Sequence, residues 1–259
     1  MVKTKLLKGD CLEEMKKLES ESVDLVLTDP PYNISRDNNF KTMKDRSGRT
    51  GIDFGEWDKN ADIYSWIGDA SRILKDGGNL IVFNSWENLG KIKEYAENHN
   101  LIVKRPLVFH KSNPAPFNRD RLNVNDVEFG LWFVKKGKWT FNRQDKLQSC
   151  VTKYVVESGG GFKKYHPTQK AVKQIENLLR VYSNEGDVVL DCFMGSGTTG
   201  VACNNLNRDF IGMELDEKYF EIAKERINKL NSEKAERTYA TKHDIPPKSK
   251  DSGILPNLT

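Results

Sequence analysis

Cysteine and histidine are scarce in this chain, with four of each among 259 residues. Cys11, Cys150, Cys192 and Cys203 form no Cys-x-x-Cys pair and no metal-ligand spacing. A zinc finger or a secreted disulfide scaffold is therefore excluded, thiols in a reducing cytoplasm are expected, and no metal is expected. Long apolar runs are missing as well. No stretch approaches the roughly 18 residues that span a bilayer, and the opening MVKTKLLKGDC lacks the apolar core of a signal peptide, so no membrane partner is expected. No internal repeat and no separate linker interrupts the chain. What is present is 37% hydrophobic and 30% charged residues at a net charge of +4. That composition and length suit one large soluble α/β domain.

The charge is unevenly placed. Residues 104–170 hold 14 basic and 5 acidic side chains, whereas the remainder holds 27 basic and 32 acidic. A strongly basic middle thus sits on a mildly acidic body. Dense Lys and Arg are what phosphate neutralisation requires, so the middle segment points to a polyanion-facing surface.

Apolar periodicity predicts alternating strands and helices. Strands are expected at Lys5–Lys8, Val23–Thr28, Asn79–Asn84, Leu101–His110, Val127–Val134, Asp187–Leu190 and Asp209–Met213. Helices are expected at Cys11–Leu18, Ala61–Leu74, Glu87–Asn98, Thr168–Tyr182, Thr198–Leu206 and Lys218–Leu230, with Asp76-Gly77-Gly78 ending the second. This alternation argues for a mostly parallel sheet with helices on both faces. Three stretches break the rhythm: 33–60, 111–125 and 137–165 are polar, basic and without core pattern, and long irregular loops in a compact domain are usually functional. From Asn231 onward the chain is polar and contains proline, which predicts a mobile tail over 231–259 behind a single domain over 1–230.

Two motifs carry chemistry. In GDVVLDCFMGSGTTGVACNNLNRDFIGMEL, residues 186–215, a strand ends at Asp191, a Gly-rich turn follows, and a helix opens near Thr198. Gly195 and Gly197 let the backbone approach a ligand, and the helix N-terminus offers free N–H groups. Glu214, closing the next strand, could accept both hydroxyls of a ribose. The spacing Gly195-x-Gly197-x-x-Gly200 also satisfies a dinucleotide fingerprint, which is a weak signal by itself. Asp29-Pro30-Pro31-Tyr32, the second motif, ends an earlier strand and would stand at the same carboxyl edge.

Together these motifs resemble the amino-group DNA methyltransferases, in which [DNS]PP[YF] is catalytic and FxGxG, here Phe193-Met194-Gly195-Ser196-Gly197, binds S-adenosylmethionine. The catalytic motif precedes the cofactor loop with the basic region between them, which resembles the circularly permuted β group of that family. His166-Pro167-Thr168-Gln169-Lys170 just upstream of the loop supports the same placement. Asn33-Ile34-Ser35, Asn38-Asn39-Phe40 and the run from Gly51 to Lys59 are most similar to MboII-type adenine-N6 enzymes of restriction–modification systems. Ala171 and Cys192 depart from the family pattern where proline is frequent, without removing a polar contact.

The resemblance implies a Rossmann-like, seven-stranded methyltransferase fold and N6-methylation of adenine in duplex DNA, in a bacterial or phage-encoded cytoplasmic protein. It also allows a homodimer. Asp29 and the carbonyl of Pro30 would accept the two N–H bonds of the target amine, offsetting the positive charge that grows there as methyl arrives. The base must leave the duplex to be reached, and Tyr32 would stack on it. For the cofactor, the resemblance implies Asp10 at the adenine end, Glu214 on the ribose, Asp191 at the amino-acid end, and Thr168, Gln169 and Lys170 along the methionine portion. Asp29, Phe193, Gly195, Ser196, Gly197, Thr198 and Thr199 complete that set. Asp10 and Thr168 could equally be helix caps. Candidate DNA contacts are Arg36, Lys41, Lys44, Arg46, Arg49, Lys111, Arg119, Arg121, Lys138 and Arg143. Three rival readings stand beside this one. Cytosine-N4 methylation differs in its target, and Asp at position 29 speaks against it. An NAD(P)-dependent oxidoreductase fits the glycines alone. A silent DNA-binding scaffold leaves intact motifs unexplained.

Overall fold

Side chains of a strand alternate between the two faces of a sheet, and the strands of this chain are apolar on both. The computed structural model describes residues 2–33, 58, 61–114, 123–156, 165–166 and 168–243, with side chains through 232. Its elements run β1 (Thr4–Lys8), α1 (Cys11–Met15), β2 (Val23–Thr28), α2 (Trp66–Ile73), β3 (Leu74–Asn84), α3 (Leu89–Asn98) and β4 (Leu101–Lys111). Then follow β5 (Val127–Lys135), β6 (Val151–Tyr154), α4 (Val172–Tyr182), β7 (Val188–Asp191), α5 (Thr198–Asn205), β8 (Asp209–Glu214) and α6 (Glu217–His243).

One sheet results, in the order β1-β8-β7-β2-β3-β5-β4-β6. All its pairings are parallel except the two made by β5, which runs against both β3 and β4. The expected seven strands become eight because β6 lies inside the stretch expected to be irregular. Only four residues long, with Val151 exposed, it has too little apolar pattern to be seen in sequence.

The core is two layers, one on each face. Leu25 and Leu27 of β2, Ile81 and Phe83 of β3, and Trp132 and Val134 of β5 pack with α4, α5 and α6. Val23, Val26, Leu80, Val82, Leu131 and Phe133 point the other way and pack with α1, α2 and α3. Period-two alternation in three central strands thus fills both layers, each buried apolar side chain contributing roughly 1.5–3 kcal/mol.

Several boundaries differ from the expected ones for local reasons. The helix α1 stops at Met15, and the Arg72 guanidinium then donates to the carbonyls of Met15 (2.8 Å) and Leu18 (2.9 Å). The helix α2 begins only at Trp66, because Asp62 Oδ1 accepts from the amides of Tyr64 and Ser65 and holds a turn before it. Asp76-Gly77-Gly78 does not end a helix. It sits within β3, where the pairing of β2 jumps from Val23↔Leu74 to Leu25↔Asn79, so the glycines form an irregular bulge. At the other end, α6 continues through His243, past the residue where a tail was expected, and residues 244–259 lie outside those described.

Gly197 shows how closely the Gly-rich turn is built. Its φ of +81° is left-handed, and a Cβ there would stand 2.8 Å from Ala223 Cβ on α6. Gly197→Ala should therefore destabilise the fold by about 1–3 kcal/mol, through backbone strain and overpacking together. Chemical denaturation measures this, and an unchanged midpoint would show that α6 yields without cost.

Candidate active site

Parallel strands deliver their carboxyl ends to one edge, and β1, β8, β7, β2 and β3 lie side by side there. Asp10 follows β1, Asp29 follows β2, Asp191 ends β7 and Glu214 ends β8. A cavity of about 710 Å³ opens at this edge. Asp10, Asp29, Thr168, Gln169, Lys170, Asp191, Phe193, Gly195, Ser196, Thr198, Thr199 and Glu214 all line it, so twelve of the thirteen expected cofactor residues are brought together. The exception is Gly197, which packs against α6 and shapes the turn from behind.

The Gly-rich turn is locked by the carboxylate expected to bind beside it. Glu214 Oε2 accepts from the Gly195 amide at 2.9 Å and Oε1 from the Asp216 amide at 2.8 Å. Burial raises the Glu214 carboxyl above the ordinary glutamate value, and these amide bonds oppose the rise. Gly195 adopts a φ of +50°, and the nearest atom a Cβ would meet is His166 Cδ2 at 3.9 Å, so the turn exposes bare backbone. Asp10 is a helix cap after all, its Oδ1 accepting from the Leu12 amide at 2.8 Å, yet it lines the cavity too. Thr168 is not a cap. The helix α4 begins at Val172, which leaves Thr168, Gln169 and Lys170 in irregular backbone with side chains at the cavity. Thr168 Oγ1 lies 3.0 Å from His166 Nδ1, and the His166 ring meets Tyr219 edge-on at 4.2 Å. His166, Asp62, Leu215, Asp216 and Tyr219 are among the further lining residues that were not expected as site residues. His166 was visible in its motif; the others carry no sequence signal.

Asp29 is held from two sides. The Tyr32 hydroxyl donates to Oδ1 at 2.6 Å and Lys170 Nζ to Oδ2 at 2.8 Å. Lys170 is itself nearly buried. Burial alone would lower its ammonium, but the facing carboxylates of Asp29 and Glu128 outweigh that and hold it well above the ordinary lysine value. The Tyr32 ring packs against the core layer of α4–α6 and does not line the cavity. Behind the motif, Asp58 Oδ1 accepts from the amides of Tyr32 (2.7 Å) and Asn33 (2.9 Å) and fixes the exit of the chain. Asp58 lies within the Gly51–Lys59 run but was not expected to act here.

The described basic residues do not form one surface. Arg36, Lys41, Lys44, Arg46, Arg49, Arg119 and Arg121 lie outside the described residues. Lys111 turns inward, its Nζ 3.2 Å from Glu128 and its side chain 18% exposed, so it is an ion-pair partner rather than a free cation. Lys138 and Arg143 do not line the cavity. Because β5 runs antiparallel, its carboxyl end leaves the sheet at the opposite edge, where the Gly77 amide donates to the Lys136 carbonyl and the Asn142 amide to that of Val181. Both residues are thereby remote from Asp29. Of the aromatics in this region, Trp132 is buried in the core, whereas Phe141 stacks on it at 5.4 Å and stays exposed. Trp139 carries Lys104 over its ring at 3.7 Å.

Among the described residues no cluster of His, Cys, Asp or Glu is arranged to hold a metal ion, and no helix is long and apolar enough to cross a membrane. Solved structures share this architecture. The M1.HpyAVI–SAM complex matches with a TM-score of 0.69 at 33% identity, over 87% of this chain and 99% of that one. PvuII DNA methyltransferase (cytosine-N4-specific) matches with a TM-score of 0.68 at 19% identity, over 89% and 90%, a likeness of fold alone. The fold is therefore the Rossmann-like one of methyltransferases. A family model described as DNA methylase, covering N6 and N4 enzymes, matches residues 23–225, and the chain belongs to that family of DNA methyltransferases. It is 33% identical over 249 residues to Type II methyltransferase M.HinfI of Haemophilus influenzae, spanning 87% of this chain and 68% of that protein. It is also 30% identical to Type II methyltransferase M2.LlaDCHI of Lactococcus lactis subsp. cremoris, spanning 86% and 89%.

Asp191 offers a test of the buried floor of this cavity. It accepts from the hydroxyls of Thr28 (2.8 Å) and Thr199 (2.6 Å) and from the Phe193 amide (3.1 Å). Burial outweighs these bonds and pushes its carboxyl up to about 6. An unfolded aspartate titrates near 3.9. The folded state thus holds the proton more tightly, so this contribution to stability is complete below about 4 and lost as pH rises through about 6. The gap is worth about 3 kcal/mol at most. Between pH 4 and pH 7.5, wild type should lose up to about 3 kcal/mol of stability relative to Asp191→Asn in urea titrations. A pH-independent difference would place an ionised Asp191 in both states.

Proposed function

We propose that this chain transfers a methyl group from S-adenosylmethionine to N6 of adenine in a specific duplex DNA sequence, as the modifying member of a restriction–modification system. The observation that carries the reading is that Asp29, at the end of β2, opens onto the same cavity as the Gly195 turn and Glu214.

The lining fits a cationic cofactor. Among the described residues it presents the carboxylates of Asp10, Asp29, Asp62, Asp191, Glu214, Asp216 and Glu217 against the ammonium of Lys170. A sulfonium is attracted by that balance, worth roughly 4 kcal/mol per charge pair at 4 Å and an effective dielectric of 20, whereas a dinucleotide pyrophosphate is repelled. This favours S-adenosylmethionine over NAD(P), although both suit the glycine spacing. Bound S-adenosylmethionine supplies an electrophilic methyl group. Glu214 would take the ribose hydroxyls and Asp10 the adenine end. Asp191 and the turn of Phe193, Gly195, Ser196, Thr198 and Thr199 would take the amino-acid end. Thr168, Gln169 and Lys170 flank the methionine portion.

Asp29 accepts one N–H of the target amine and the Pro30 carbonyl accepts the other, which localises the nitrogen lone pair and stabilises its growing positive charge. Tyr32 leaves the core layer it packs against to stack on the extruded adenine. Its hydroxyl also sets the orientation of Asp29 before DNA arrives. Aspartate at position 29 supports adenine over cytosine-N4, whose enzymes in this family more often carry serine there. DNA recognition falls to the basic segments at 33–60 and 111–125, which leave and rejoin the described structure at the edge that holds Asp29.

Three measurements test the assignment. Glu214→Gln keeps an acceptor for the turn but loses the charge, and S-adenosylmethionine affinity should weaken by about 1.5–3 kcal/mol in calorimetry. Unchanged affinity would remove Glu214 from the cofactor site. Asp29→Ala should slow single-turnover methylation at saturating cofactor by roughly 100-fold or more. Tyr32→Phe should retain more activity than Tyr32→Ala, since stacking needs the ring. Wild-type rates in Asp29→Ala would reduce the motif to a turn. Modified-base sequencing of DNA from an expressing host identifies the base, and N4-methylcytosine there would replace the adenine reading.

A further inference from the structure

Glu128 belongs to no motif, yet it stands beside the catalytic carboxylate. It is the second residue of β5, and because β5 alone runs antiparallel, its beginning shares an edge with the ends of β2, β3 and β4. Lys170 lies between the two carboxylates. Its Nζ donates to Asp29 Oδ2 at 2.8 Å and to the Tyr32 hydroxyl at 3.3 Å, and stands 3.7 Å from Glu128 Oε2. That Oε2 is buried with no hydrogen-bond partner in range, while Oε1 of the same carboxylate faces Lys111 Nζ at 3.2 Å and the Tyr154 hydroxyl also donates to the carboxylate. A buried carboxylate oxygen without a donor is costly unless something comes to fill it.

The opposite holds at Asp29, whose two oxygens are both engaged. Methyl transfer builds positive charge on the target nitrogen, and an ammonium already bound to Asp29 competes for the same carboxylate and repels that charge. One ammonium, the occupied carboxylate of Asp29 and the unpartnered Oε2 of Glu128, about 1 Å beyond charge-assisted hydrogen-bond range, form a two-position arrangement.

We propose that Glu128 is a positioning residue that draws the Lys170 ammonium off Asp29 as the target amine docks, leaving Asp29 Oδ2 free to accept from that amine. The proposal rests on the assignment of Asp29 given above. No covalent bond changes in this step; one ammonium exchanges carboxylate partners while the amine takes its place.

A double-mutant cycle tests it, with PCR-amplified genomic DNA, which carries no methyl groups, as substrate and radiolabelled S-adenosylmethionine as donor. Glu128→Gln should slow single-turnover methylation by about 10-fold or more. Its affinity for S-adenosylhomocysteine should stay within about twofold of wild type, because Glu128 does not line the cofactor cavity. In a Lys170→Met background, Glu128→Gln should cost nothing further, since there is no ammonium left to move. Glu128→Asp keeps the charge and should recover part of the rate, which holds the test open if the glutamine variant is unstable. A wild-type rate in Glu128→Gln overturns the proposal. Equal slowing in both backgrounds overturns it too, as does a folded Glu128→Asp no faster than the glutamine variant. Asp29→Ala run alongside separates the two levels: if that variant keeps its rate, the assignment of Asp29 fails, and if only the Glu128 variants do, the positioning role fails.

Discussion

Parallel strands end on the same side of a sheet, and that constraint governs this molecule. It gathers Asp10, Asp29, Asp191 and Glu214, which are scattered over more than two hundred positions, along one edge. Four carboxylates so close together repel one another, and the surrounding structure is arranged to tolerate them. Backbone amides occupy Glu214, hydroxyls and an amide occupy Asp191, and the ammonium of Lys170 occupies Asp29. What charge compensation remains incomplete is an attraction for a cation, which is the charge a sulfonium cofactor brings.

The two apolar layers make this concentration of charge possible. Trp66 and Phe83, both buried, belong to opposite layers and also border the cavity, so the same packing that stabilises the fold walls the site. Raised carboxyls at Asp191 and Glu214 are the consequence of setting acids into that wall. Stability is given up at these positions so that the edge stays electronegative and partly dry, a common arrangement at functional sites.

The single antiparallel strand has consequences at both edges. It brings Glu128 to within ion-pair distance of Lys170 at the carboxyl edge. At the other edge it sends Lys138 and Arg143 away from the cavity, so the described basic residues of this stretch are divided between opposite edges of the sheet. Charge density along a sequence does not distinguish these placements, because a strand reversal moves neighbours in sequence to opposite ends of a sheet.

The sequence by itself determined the class of fold, the family and twelve of the residues that line the cavity. Gly-rich turn, Asp-Pro-Pro-Tyr and His-Pro-Thr-Gln-Lys are local signals, the first two fixed by the chemistry of a strand end, and local signals survive without coordinates. It also placed the central strands, since two-period alternation is read directly from neighbouring residues. Only the tertiary structure decided what depends on distant pairing: the edge strand β6, the bulge at Gly77 and Gly78, the inward turn of Lys111, the hold of Asp58 on the exit from the motif, and the approach of Glu128 to Lys170. Glu128 and Lys170 are 42 residues apart, and nothing in either neighbourhood announces the other. Their meeting follows from register and strand direction, which are settled by packing of the whole sheet rather than by any short run of side chains.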